Sequence, residues 1–130
     1  MRDVAVVSSA QIQQKVISGL SEAEYMTPLI NRARDQVGLS QSDIGFTCSG
    51  SCDFIAGQAF SFVMTIDGVG PVPPISESHV EMDGAWALYE AWVKIQTGAT
   101  DTALVYSYSK SSPGSLRDVL ATQLLSLIHI

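Results

Sequence analysis

Asp83-Gly84-Ala85-Trp86-Ala87-Leu88-Tyr89-Glu90-Ala91-Trp92-Val93-Lys94-Ile95-Gln96 is the stretch that decides the fold. Only Glu90, Lys94 and the two ends are polar. A helix apolar nearly all round is one enclosed by other elements. The stretch is therefore predicted to be a buried central helix, closed by Gly98 in the left-handed conformation that ends many helices.

On its C-terminal side, Thr102-Ala103-Leu104-Val105-Tyr106 reads as a buried strand, followed by an exposed loop at Lys110–Gly114. On its N-terminal side, Ile75 to Val80 is predicted to be extended. Asp67-Gly68-Val69-Gly70-Pro71 and Pro73-Pro74 break the chain before it. Asp53 to about Ile66 reads as helical, although Phe60, Phe62 and Val63 leave a strand open. Ile44–Cys48 is a second apolar strand, with a turn at Ser49–Ser51. Ser21 with Glu24 three residues on forms a capping box for a helix running to about Val37, where Gly38 ends it. Met26, Leu29, Ile30, Ala33 and Val37 give that helix one apolar stripe. Val4-Ala5-Val6-Val7 reads as an opening strand covered on both faces, with a polar loop from Ser8 to Gln14. Strand and helix alternate, which predicts an α/β fold with a mainly parallel mixed sheet around the buried central helix, in βαβαβαβ order.

The 130 residues fit one domain. Hydrophobic residues make up 46% and charged residues only 15%. The charged share falls well below the usual quarter. Much of the surface is thus expected to be covered, in part by further chain or by a second subunit. The net charge is −6, and the seven Lys and Arg residues form no cluster. Nucleic-acid binding needs such a cluster to displace counterions from phosphates, so that class is excluded. No run of about 18 apolar residues is present to span a membrane. Cys48 and Cys52 without a secretory signal predict free thiols and a cytoplasmic protein.

From Ser78 to Lys110 the chain resembles the thiolase superfamily, most of all its lipid-transfer, sterol-carrier-protein type. The family pattern is an extended segment, a Cys-x-Ser/Thr-Gly nucleophile loop, a helix with small residues, then Gly and an apolar strand. The corresponding run here is Ile75-Ser-Glu-Ser-His-Val-Glu-Met-Asp-Gly84-Ala-Trp-Ala87, then Thr97-Gly98-Ala-Thr-Asp-Thr-Ala-Leu-Val-Tyr106. Gly84 and Ala87 match the Gly and Ala of the motif. The Asp3–Ser9 segment and Gly38-Leu39-Ser40 with Asp43-Ile44 also look like the family's start. The resemblance covers residues 1–123 as a partial thiolase-like N-terminal domain. Leu124 to Ile130 does not resemble its continuation, and is expected to be a truncation or foreign junction.

The resemblance implies an acyltransferase-type parent acting on acyl-CoA or lipid thioesters, dimeric or hetero-oligomeric, with coenzyme A thioester as substrate and no tightly bound cofactor. Three residues before Gly84, the family's nucleophilic Cys is replaced by Glu81. A carboxylate cannot form the acyl-enzyme thioester that a thiolate forms. The family's catalytic His residues and second Cys belong to its C-terminal half. The expectation is a non-thiolytic member, inactive as this stretch alone. It would be an aldolase-like lyase of sterol side-chain CoA esters, or a non-catalytic lipid-transfer or scaffold subunit.

Glu81 beside a helix start has two readings: a base for proton abstraction or carbon–carbon cleavage, or, with Asp83, a favourable charge at the helix N-terminus. His79 lies between Glu77 and Glu81, and in a strand these three share a face. That trio suits a metal, but more often serves as a polar strand face or subunit contact. Cys48-Ser49-Gly50 mimics a second catalytic Cys-x-Gly, but comes too early in the chain. With Cys52, Cys48 supplies at most half a zinc site. Gly68-Val69-Gly70 lacks the context of a phosphate loop and reads as a turn. Trp86, Tyr89 and Trp92 are expected to fill the core.

Overall fold

A computed structural model describes residues 1–13, 19–56, 60–70, 75–109, 117, 118 and 121. The loop expected at Lys110–Gly114, the break at Pro73-Pro74, and the segment from Leu124 to Ile130 with His129 lie outside them.

Helix α1 (Glu22–Asp35) begins with the capping box anticipated above. Ser21 Oγ accepts the Glu24 N–H at 3.3 Å, and the Glu24 carboxylate accepts the Ser21 N–H at 2.6 Å. Past its end, Gly38 adopts φ +66°, a conformation that costs a residue without Cβ nothing. Strand β1 (Phe46–Gly50) leads into α2 (Asp53–Ala56). A 3₁₀ turn over Ser61–Thr65 and the single-turn helix α3 (Ile66–Val69) follow. Then come β2 (Glu77–Val80), α4 (Gly84–Gln96) and β3 (Ala103–Ser107).

The three strands form one parallel sheet in the order β2-β1-β3. The molecule is therefore α/β with a parallel sheet, as predicted. Alternation along β1 sorts its side chains. Phe46 and Cys48 face α4, packing with Ala87, Ala91, Val80, Ala103 and Val105. The other face carries Leu104 and Tyr106, which join Tyr25, Met26 and Ile30 of α1 and Val69 of α3. The helices thus lie on both faces of the sheet.

Three expectations are corrected. Val4–Val7 is not a buried strand. It pairs with no strand among the described residues and is exposed. The segment is held at its two ends instead: Arg2 bonds to Gln96, the Ile95 carbonyl and Asp101, while Ser8 Oγ donates to the Ala33 carbonyl at 2.6 Å. Asp53 to Ile66 is not one helix. Phe60 turns the chain at φ +56°, and the Asp53 carboxylate accepts the N–H groups of Phe60 and Ser61, both at 2.8 Å. Those bonds fold the segment back on itself. Finally, α4 is covered on one side only. Ala87 and Ala91 are buried against β1, yet Trp86 and Tyr89 remain 51% and 56% exposed. Two alanines on one stripe are what let the helix lie close on the sheet. The aromatic residues project the other way, where no described element reaches.

Candidate functional site

In an open parallel sheet, sites form beyond the carboxyl ends of the strands. Here β1 ends at Gly50, β2 at Val80 and β3 at Ser107, and the start of α4 closely approaches Gly50 and Ser107. Two glycines permit that approach. A Cβ on Gly50 would run into the Asp83 carbonyl, and one on Gly84 would lie 2.9 Å from Ser107 Cβ. Asp83 caps the helix, its Oδ1 accepting from the N–H groups of Ala85 at 3.0 Å and Trp86 at 3.2 Å.

Glu81 stands in the turn between β2 and α4, and half of its side chain is exposed. One of its oxygens accepts the Asp53 N–H at 2.6 Å. The other lies 3.1 Å from His79 Nε2. His79 in turn places Nδ1 2.9 Å from Ser49 Oγ, and its ring stacks on Phe62 at 4.5 Å between centroids. One tautomer satisfies both bonds: Nε2–H donates to Glu81, while bare Nδ1 accepts from the Ser49 hydroxyl.

Strand register creates this arrangement. Ser49 pairs across β1 with His79 of β2 on one side and with Tyr106 of β3 on the other. The three side chains therefore form one polar row on the sheet face opposite α4. They line a pocket of about 230 Å³ together with Phe62, Glu77 and Ser78. Burial raises the pKa of the Tyr106 phenol above its ordinary value, against the lowering effect of hydrogen bonds to Thr65 and Ser49.

Behind the row lies a second polar group. Asp53 Oδ1 accepts from Ser61 Oγ at 2.7 Å as well as from its N–H, and Ser61 Oγ lies 3.1 Å from Ser51 Oγ. Tyr108 donates to the Ser61 carbonyl. Burial opposes the Asp53 charge, but the bonds from Ser61 and Phe60 and the nearby His79 outweigh it, so its pKa lies below the ordinary carboxylate value.

Of the residues singled out in the sequence, Glu81 and His79 are brought together, and Glu77 lines the same pocket. Among the described residues, no three metal-binding side chains converge. Cys48 points away from this group into the α4 face, where burial, with Glu90 nearby, pushes its thiol up to about 11. Such a thiol is inert at neutral pH. Ser49, Tyr106, Phe62 and Asp53 were not anticipated. Ser49 and Tyr106 depend on which strands are neighbours and in what register, and Asp53 and Phe62 on how the segment after β1 folds back.

Comparison with protein-family models, with curated proteins and with solved structures returns no match to this chain.

Proposed function

We propose that this chain is a thiolase-like module for acyl-CoA or lipid thioesters, belonging to a parent that does not carry out thiolysis. The observation that carries the reading is the position of Glu81. It lies at the carboxyl edge of a parallel sheet, one turn ahead of a helix start whose close seating depends on Gly50 and Gly84. An acyl-accepting thiolate would stand there in a thiolase-like protein; a carboxylate cannot take up the acyl group as a thioester. The adjoining pocket, about 230 Å³, falls short of the roughly 300–1,000 Å³ of sites that enclose drug-sized ligands. It has room for a short acyl group, with the remainder of a CoA ester lying outside.

NMR titration of the chain with acetyl-CoA tests this. Shifts centred on the amides of Ser49, Glu81 and Gly84, with no acetyl transfer to free CoA, are expected. Unmoved amides at saturating ester, or robust thiolysis, would refute it.

A second reading is a non-catalytic subunit that docks onto an active partner. The uncovered aromatic face of α4, with Trp86 and Tyr89, and the position of β2 at the sheet edge favour it. Light scattering over a concentration series tests whether that face pairs with a second copy: a dimer lost in Trp86→Ser is expected if it does, and a monomer at every concentration leaves self-association out.

A further inference from the structure

The Ser49–His79–Glu81 contacts have the form of an activated nucleophile: a hydroxyl on a base whose second nitrogen is oriented by a carboxylate. We propose that Ser49 accepts an acyl group from a small thioester or activated ester, with His79 as its general base and Glu81 as the positioning residue for His79.

Four observations support this. Ser49 is buried, at 4% exposure, and what it does expose forms part of a pocket wall. The His79 ring cannot swing freely, since Phe62 stacks on one face and both nitrogens have partners. Glu81 is itself fixed, its other oxygen bound to the Asp53 N–H. Tyr106, paired with Ser49 in the same row, lines the same pocket and is the hydroxyl assigned to the carbonyl oxygen where negative charge would develop.

The step balances without a further reagent. The Ser49 oxygen bonds to the carbonyl carbon while its proton passes to His79 Nδ1. The bond to the leaving thiolate or phenolate breaks, and the leaving group takes that proton. Water then attacks the acyl-serine with His79 again as base, releasing a carboxylic acid and restoring Ser49. The net reaction is hydrolysis.

The choice of thioester rests on the function proposed above; the nucleophile does not. The test therefore uses two probes on the whole chain: a fluorophosphonate, which marks activated serines by losing fluoride, and acetyl-CoA. Peptide mass spectrometry should find the phosphonyl adduct on Ser49. Ser49→Ala should abolish it, and His79→Asn should slow it about 100-fold or more. Glu81→Gln, which preserves the shape of the side chain, should slow it less than His79→Asn. Circular dichroism confirms that each variant is folded. Phosphonyl labelling of Ser49 without any acetylation by acetyl-CoA would uphold the nucleophile while removing the thioester reading. An unlabelled Ser49 in the folded chain, or labelling at the parent rate in His79→Asn, would overturn the proposal and leave the row as a structural polar contact.

Discussion

Replacing Gly50 by Ala tests how α4 is seated. The added methyl would enter the space of the Asp83 carbonyl, a backbone atom that cannot rotate away. Overpacking of this kind costs about 1–3 kcal/mol. Because the clash is with the N-cap residue, the Asp83 bonds to Ala85 and Trp86 are strained too, adding up to about 1 kcal/mol. The total is about 1–4 kcal/mol. At roughly 3–4 °C per kcal/mol for a chain of this length, Tm should fall by roughly 3–16 °C. Thermal unfolding followed at 222 nm measures it, with Asp83→Ala alone as the comparison for the cap. Should Gly50→Ala unfold within about 2 °C of the parent, α4 does not approach β1 as described, and the placement of Glu81 fails with it.

Ala87, fully buried among β1 and β3 side chains, gives a second packing test: Ala87→Leu should cost about 1–3 kcal/mol in chemical denaturation, whereas the exposed Leu88→Ala should cost far less. With its thiol raised to about 11 by burial, Cys48 should resist a thiol reagent at pH 8 until denaturant is added, while the half-buried Cys52 reacts in the folded chain. The sign of the pH effect follows. The Cys48 pKa in the folded chain lies above its ordinary 9.0, so its contribution is complete below pH 9 and is lost as pH rises toward 11. Tm measured from pH 8 to 11 should fall over that window, and less steeply in Cys48→Ala. Asp53 acts in the opposite sense: with its pKa held below the ordinary 3.8, its contribution is present above that value and lost as pH falls through the folded value. Acid unfolding should therefore lose part of its pH dependence in Asp53→Asn, as acid titrations of the parent and of this variant would reveal.

Sequence signals are legible where the physics is local. The Ser21–Glu24 capping box, Gly38, Asp83 at a helix start and Gly98 all act within one turn of their own position. Strand ends were harder. β1 runs to Gly50 rather than stopping at Cys48, because Ser49 and Gly50 are paired by neighbouring strands, which polarity alone does not reveal. Val4–Val7 has the composition of a buried strand, but composition does not supply a partner. The same divide runs through the site. His79 and Glu81, two apart on an extended segment, were expected on one side and do touch. Ser49 and Tyr106 are 30 residues before and 27 after His79, joined to it only by strand register.

The Glu81 carboxylate joins two turns that are far apart in the chain, through the Asp53 amide on one side and the His79 ring on the other. Local opening of either turn must break a bond belonging to the other, so the two should fluctuate as one unit. In hydrogen exchange, the Asp53 amide would then be protected beyond what a helix's first residue usually shows. Whatever draws Glu81 away, such as a bound cation, would release both turns at once.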